Sequence, residues 1–266
     1  MRAEISCRHR SCSLPNRKVV SFENLKVACK NCSLATLCLP VALEPDDVER
    51  LDSIVKRGRP FHRGDHLFRE GDDFHSLRVI TSGSVKTYSP SEDGSEQVLG
   101  FHLPGELIGL DAIQNERHSC SARALETTAV CEIPFDSLEE LSSAMPSLQH
   151  QMYCLLSREI GQETEMLTLL GKKSAEERLA TFLLSFSERF KKRGFSATDF
   201  FLSMSRHEIG NYLGLAVETV SRLFTRFQEE GLLKVERKHV QLLDLPRLND
   251  IIHGIDSVRT SNQSRA

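Results

Sequence analysis

The chain has 266 residues, of which 39% are hydrophobic and 27% are charged, and its formal net charge is −3. This length fits about two domains, and no apolar run approaches the roughly 20 residues that a membrane span needs. These features exclude a membrane protein, a collagen, a coiled-coil rod and a small secreted disulfide protein, and we expect a cytoplasmic location. The charge is uneven, because residues 172–238 carry 13 Lys and Arg against 9 Asp and Glu, whereas residues 1–171 carry 18 against 25. The basic segment is a weak indication of a polyanionic partner.

Three of the eight cysteines follow the pattern Cys29-x2-Cys32-x5-Cys38. In a reducing compartment, clustered thiols are more often metal ligands or redox groups than disulfides, and soft thiolates select zinc or an iron–sulfur cluster. Zinc fingers usually contain two cysteine pairs, so the single pair favours a cluster over zinc or free thiols. A fourth ligand has to come from elsewhere in the chain, and the spacing alone does not select it.

The chain divides by pattern into a flexible tail over residues 1–28, the cysteine loop over 29–40, and a short amphipathic helix over 43–57. From about residue 60 to 135, short apolar runs alternate with turn sequences, which predicts a small antiparallel β-roll or barrel. The expected strands lie near residues 66–69, 77–80, 84–88, 97–101 and 129–133.

A long helix is predicted over residues 146–171, and it carries a stripe with coiled-coil spacing at residues 153, 156, 160, 163, 167 and 170. The stripe includes Ile160 and contains one acid, Glu163. Two copies that paired along this stripe would bring two carboxylates together, so the dimer would be marginal. Alternatively, the stripe packs on the β-roll of its own chain and Glu163 points to solvent, and the pattern does not decide between the two.

A helix-turn-helix is predicted from a short helix over residues 206–213, a glycine turn at Gly214 and a second helix over 217–229. A further helix precedes it, beginning at the capping box of Ser174 and Glu177, and a β-hairpin wing follows.

The second helix begins with side chains that suit the edges of bases in a major groove. They are Val217, Glu218, Ser221 and Arg222. Glu218 and Arg222 are also four residues apart, so an ion pair on the protein surface is an alternative interpretation that is compatible with base contact.

The order of these parts resembles the Crp/Fnr family of bacterial transcription regulators, and in particular its oxygen-sensing branch. The resemblance covers about residues 29–242, and its motifs are CKNCSLATLCLP (29–40), GFHLPGELIG (100–109), ALETTAVCEIP (124–134) and EIGNYLGLAVETVSR (208–222). It implies an α+β fold with a β-roll similar to a cyclic nucleotide-binding jelly roll (41–145), a dimerisation helix (146–171), a winged helix-turn-helix domain (172–245) and a C-terminal tail (246–266).

The resemblance also implies a cofactor and a function. It implies that Cys29, Cys32, Cys38 and Cys131 hold a [4Fe–4S] cluster; only its motif distinguishes Cys131 from the other cysteines. It implies a homodimer, switched by oxygen at Ile160 and Glu163, that binds a palindrome similar to TTGAT–N4–ATCAA. The same resemblance implies contact with RNA polymerase through the loop around residues 89–97, mainly to activate anaerobic genes.

Three rival functions can be compared with the residues. A cyclic nucleotide is not expected, because Leu110, Cys120 and Ser121 stand where that pocket needs a glutamate and an Arg-Ser pair. A zinc- or thiol-based redox regulator on the same scaffold is the alternative. No enzyme is expected, because the chain has no Gly-rich phosphate loop, no Gly-x-Ser-x-Gly and no His-Glu-x-x-His. Cys7, Cys12, Cys120 and Cys154 receive no role. The spacing Cys7-x4-Cys12 is compatible with a second metal or redox site and with loose thiols.

Overall fold

The computed structural model describes residues 28–41, 43–91 and 94–253. It begins with a 3₁₀ turn, Cys29–Asn31, and continues into helix α1, Pro45–Ile54. Pro45 occupies the first turn of α1, where a missing N–H costs nothing, and the acids Asp46 and Asp47 complement the positive end of the helix dipole.

The β-roll is built from eight strands in the described part of the chain: β1 (Lys56–Arg57), β2 (His66–Phe68), β3 (Ser76–Ser82), β4 (Val85–Pro90), β5 (Glu96–His102), β6 (Leu107–Ile108), β7 (Ser121–Ala124) and β8 (Ala129–Pro134). They form two four-stranded antiparallel sheets with strand orders β1-β8-β3-β6 and β2-β7-β4-β5. β5 therefore lies at the edge of its sheet.

Two helices follow the roll: α2, Phe135–Ser143, and the long α3, Pro146–Lys172. At 1.5 Å per residue, α3 is about 40 Å long. None of the described helices combines the length and the apolar character that crossing a bilayer requires.

The C-terminal half is a winged helix-turn-helix. Helix α4, Ala175–Lys192, is followed by β9, Asp199–Phe201, and by the pair α5, Arg206–Leu213, and α6, Val217–Glu229. The last elements are β10 (Leu233–Glu236), β11 (His239–Leu242) and α7 (Leu245–Ile252). The wing strands β10 and β11 form a three-stranded antiparallel sheet with β9, and helix α7 packs against α4.

Two apolar cores connect parts that are distant in sequence. One joins Leu39 of the cysteine loop to Leu77 of β3, Leu138 of α2 and Leu148 at the start of α3. The other extends from Phe101 on β5 into the interior of the C-terminal domain. The β-roll is therefore in contact with the cysteine loop, with the start of α3 and with the C-terminal domain.

The predicted fold class, helices and strands are confirmed, with boundaries that shift by a few residues. Helices α2 and α7 and strands β1, β6, β7 and β9 were not among the expected elements, and β1 occupies residues 56–57, which were expected to end the helix over 43–57. The C-terminal tail assigned to residues 246–266 conflicts with α7, which spans Leu245–Ile252 and buries Leu248 and Ile251. Asp244 caps this helix and Pro246 lies in its first turn, a local signal that the sequence analysis overlooked.

Candidate functional site

The cysteine loop is docked on the β-roll. Leu39 is buried, and Leu37 lies directly against the backbone of Gly105, where an added Cβ would come within 2.9 Å of the Leu37 Cβ atom. Gly105 also has a φ of +90°, which disfavours any other residue. The loop is thus seated on the turn that precedes β6.

The sheet places Cys131 next to this loop. Cys131 lies on β8, between Val79 of β3 on one side and Arg57 of β1, the short strand that follows α1, on the other. Cys29, Cys32, Cys38 and Cys131 are all half-buried free thiols. Cys38 interacts electrostatically with Cys131 and Cys32, and Cys29 interacts with Cys38, so the four predicted ligands lie in one region of the molecule.

Burial raises the pKa of Cys29 and of Cys38 to about 12, and it also raises the pKa of Cys131. A bound metal centre needs thiolates, so binding would release protons. Within the described ranges, no three His, Cys, Asp or Glu side chains are arranged to hold a single metal ion. The residue type nonetheless fits the prediction, because iron–sulfur clusters are held by cysteine thiolates.

A charged pair that the sequence analysis missed stands beside Cys29. The Asp52 carboxylate accepts a hydrogen bond from the Cys29 backbone N–H at 2.9 Å and from the Arg57 guanidinium at 2.6 Å. The same Arg57 Nη2 atom lies 3.7 Å from the Cys29 Sγ atom. α1 and β1 thereby hold the start of the cysteine loop and bring a cation to the thiols. No spacing rule connects Arg57 with Cys29, so the residues alone could not reveal this contact.

The other cysteines lie apart from this group. Cys120 is buried in the apolar interior of the roll, with Phe68, Ile80 and Val130. Cys154 is exposed on α3, where its Sγ atom lies 3.5 Å from the His150 Nε2 atom. Cys7 and Cys12 fall outside the described residues.

The stripe on α3 is uncovered over most of its length. Tyr153 is 60% exposed, Ile160 65% and Leu167 73%, and Glu163 is exposed between them. Leu156 and Leu170 are half-buried. The alternative in which this stripe packs on the roll of its own chain is therefore not observed between Tyr153 and Leu167. A row of large apolar side chains in water is unfavourable, so the protomer presents a face that a partner can cover.

The helix-turn-helix is built from strong local signals. The Ser205 hydroxyl accepts from the Glu208 backbone N–H, and the Glu208 carboxylate accepts from the Ser205 N–H, which completes a capping box for α5. Gly214 ends α5 in the left-handed region at φ +63°. Gly210 is required as well, because a Cβ there would lie 2.6 Å from the Leu215 carbonyl oxygen.

The predicted base-reading side chains are accessible at the start of α6. Glu218, Ser221 and Arg222 are exposed and Val217 is half-buried. The Ser221 hydroxyl donates to the Val217 carbonyl at 2.8 Å. Glu218 and Arg222, both within the described residues, show no ion pair with each other, so the alternative interpretation of this pair is not observed.

The positions that would hold a cyclic nucleotide serve packing instead. Cys120 is buried in the roll, Leu110 packs against the core beneath the cysteine loop, and the Ser121 hydroxyl accepts from the Glu70 N–H at 3.0 Å. None of these three side chains offers a positive charge to a phosphate.

Comparison with known proteins identifies the family. Residues 58–144 match the cyclic nucleotide-binding domain and residues 177–251 match the Crp-like helix-turn-helix domain. The chain is 57% identical over 216 residues to the transcriptional activator protein Anr of Pseudomonas protegens, a match that covers 81% of this chain and 88% of that protein. The chain belongs to the Crp/Fnr family of transcription regulators.

A second relative within the Crp/Fnr family is the fumarate and nitrate reduction regulatory protein of Yersinia pestis, at 49% identity over 232 residues, covering 86% of this chain and 93% of that protein. Among solved structures, FixK2 from Bradyrhizobium japonicum superposes with a TM-score of 0.69 at 29% identity and covers 74% of this chain and 97% of its own. The resemblance seen in the sequence motifs is thereby confirmed, and this Crp/Fnr chain shares its architecture with a solved structure.

Proposed function

We propose that the chain is an oxygen-responsive transcription regulator of the cytoplasm that binds a DNA palindrome as a homodimer while a [4Fe–4S] cluster is intact. One observation carries this proposal: the cysteine loop, Cys131 and the first turns of α3 belong to a single apolar core. Cys38 and Cys131 pack against it from the sensor side, and Met152 and Leu155 pack against it from α3.

The four ligands would be Cys29, Cys32, Cys38 and Cys131. The cluster would supply an oxygen-labile group that ties the loop to β8 while it is bound. The chain's own residues position the cysteine loop: Asp52 accepts a hydrogen bond from the Cys29 backbone, and Leu37 and Leu39 pack the loop on the β-roll. Release of the loop would loosen the core in which the first turns of α3 are held.

Dimerisation would follow along the exposed stripe of α3. The stripe offers apolar area at Ile160 and Leu167, whereas paired Glu163 carboxylates oppose association. Such a balance lets a small bias from the sensor side shift the population between monomer and dimer.

In the dimer, each α6 would enter a major groove, with the two helices about 34 Å apart, one turn of DNA. Glu218 would accept from a cytosine, Arg222 would donate to a guanine or a phosphate, and Val217 and Ser221 would contact neighbouring bases. The segment around residues 89–97, where β4 ends and β5 begins, would contact RNA polymerase. A cyclic nucleotide is not part of this function, and gene regulation rather than enzymatic turnover is its outcome.

The decisive experiment is anaerobic purification followed by iron and sulfide assays, a visible spectrum and a DNA-binding assay, all repeated after air is admitted. We expect about four irons and four sulfides per chain, and a loss of colour, of dimer and of DNA binding in air. Cys131→Ser should lose the iron, whereas Cys154→Ser, which changes an exposed thiol on α3, should retain it. A colourless wild-type protein that contains zinc would contradict the proposal and support a zinc- or thiol-based regulator.

A further inference from the structure

Helix α5 of the helix-turn-helix is bound to the edge strand of the β-roll through Asn211. The Val98 N–H donates to the Asn211 Oδ1 atom at 2.5 Å, and the Asn211 amide donates to the Glu96 carbonyl. Gln97 adds a third bond, from its side-chain amide to the Asn211 carbonyl at 3.1 Å. An edge strand leaves backbone groups without ladder partners, and one asparagine from the C-terminal domain satisfies two of them on β5.

A buried lysine reinforces this junction. The Lys86 side chain on β4 is only 5% exposed, and its Nζ atom lies 2.8 Å from the Glu96 Oε2 atom and 3.0 Å from the Glu208 Oε1 atom. The second oxygen of Glu208 accepts from the Ser205 N–H at 2.8 Å, within the capping box of α5. A buried ammonium is tolerated only when it is paired, so Lys86 ties the first turn of α5 to β4 and β5.

Apolar contact fills the same junction. The Phe101 ring on β5 lies 5.2 Å from the Tyr212 ring on α5 and 6.2 Å from the Phe182 ring on α4. Val98 and Phe101 belong to the same core as Ile209 and Leu213. We call the group formed by Lys86, Glu96, Glu208 and Asn211, together with the Val98 N–H, the interdomain contact.

We propose that the interdomain contact positions the helix-turn-helix for DNA reading, with Lys86 and Asn211 as its positioning residues. The inference rests on the proposed palindrome binding and deepens it. The angle and separation of the two α6 helices in a dimer are then determined inside each protomer, and oxygen changes the number of dimers rather than the angle of the domain. The β4–β5 hairpin and the helix-turn-helix act as one rigid unit.

The first test uses the anaerobic wild-type dimer and palindromes whose spacer is lengthened or shortened by one base pair. One base pair rotates the half-sites by about 35° and moves them by about 3.4 Å, so a rigid dimer should bind these sites roughly 100-fold more weakly. In the Asn211→Ala and Lys86→Met variants, this difference in affinity between the natural and the altered spacers should be at least about ten-fold smaller. The exposed control variants Asn115→Ala and Lys56→Met should keep it.

The second test needs no DNA. Lys86→Met leaves both partners of the bond between Val98 and Asn211 in place, yet it should accelerate hydrogen exchange of the Val98 amide about ten-fold, because that bond opens with the domain junction. Lys56→Met should not change this rate.

The outcomes separate the two proposals. If spacer discrimination and Val98 exchange are unchanged in the variants, the interdomain contact does not position the domain. If affinity falls equally for all spacers, Lys86 and Asn211 contribute stability alone and the inference is overturned. If the wild type prefers no palindrome over scrambled DNA, the proposed function fails, and the exchange experiment still decides the interdomain contact.

Discussion

A single missing Cβ atom determines how closely the cysteine loop sits on the β-roll. Gly105 adopts φ +90° and its α-carbon faces Leu37, whereas Gly71 adopts a similar φ of +85° with nothing within 4 Å of an added Cβ. Backbone strain is therefore common to both positions, and only at Gly105 would a side chain push the loop away. Substituting Gly105 and Gly71 in parallel therefore separates the effect of loop docking from the effect of backbone strain.

We expect Gly105→Ala to shorten the lifetime of the cluster in air several-fold relative to Gly71→Ala. Both variants should lose about 1–2 kcal/mol from the strained φ, but only Gly105→Ala displaces Leu37. The measurement is the decay of the visible absorbance after air is admitted, with unfolding by urea as the check on stability. Equal decay rates in the two variants would show that loop docking does not protect the cluster.

Helix α3 is buried at its start and exposed along its apolar stripe farther on. Its first turns are held in the core beneath the cysteine loop, through Leu148 and Leu155, while Ile160 and Leu167 stand exposed farther along. Glu163 is on the exposed stripe, and Glu165 is exposed on the same helix but off the stripe. In the proposed dimer the two stripes would meet along a line that we call the seam. Glu163 would lie in the seam and Glu165 outside it, so the two residues distinguish an effect of charge at the seam from an effect of the total charge of the helix.

We expect Glu163→Ala to form a dimer and to bind DNA even in air, because the substitution removes two like charges from the seam and adds apolar contact. Glu165→Ala removes the same charge away from the seam and should remain monomeric in air. Sedimentation velocity of the two aerobic variants distinguishes them. If Glu163→Ala stays monomeric in air, repulsion between the Glu163 carboxylates does not oppose dimerisation. If both variants dimerise, the net charge of the helix, and not the position of Glu163, controls association.

At the scale of the whole molecule, the β-roll and the C-terminal domain are joined by a second charged group besides the interdomain contact. The Glu106 carboxylate lies 2.6 Å from Arg189 and 2.6 Å from Arg193, whose side chain is only 3% exposed. Burial alone would raise the pKa of Glu106, but the two guanidinium groups outweigh it and hold the pKa below its usual 4.5. The ionised form of Glu106 is therefore favoured by folding.

A depressed carboxyl pKa stabilises the fold above the unfolded value and loses that contribution as the pH falls toward the folded value. We expect the wild type to lose stability below about pH 4.5 more steeply than Glu106→Gln. At pH 7, Glu106→Gln should lower the free energy of unfolding by about 2–3 kcal/mol, because it leaves Arg193 buried without a carboxylate. Urea unfolding at several pH values measures both effects, with the exposed Glu139→Gln as the control. Parallel pH curves for wild type and Glu106→Gln would contradict the assignment.

The sequence by itself determined the features that depend on neighbours along the chain. The capping boxes at Ser174 and Ser205, the turn at Gly214 and the apolar periods of the helices are local, and each was found where it was predicted. The motifs were sufficient to identify the family and, with it, the fold. Cys131 was selected only by its motif, since spacing along the chain could not distinguish it from Cys120 or Cys154.

The tertiary structure alone decided which distant residues meet. It places Arg57 opposite Cys131 through strand register, and it brings Asn211 to Glu96 across 115 residues. It also shows that the stripe of α3 is uncovered. Periodicity could not decide this, because it shows that a face is apolar but not what covers it. These contacts depend on how sheets and helices pack in three dimensions, and that packing is absent from any local pattern of residues.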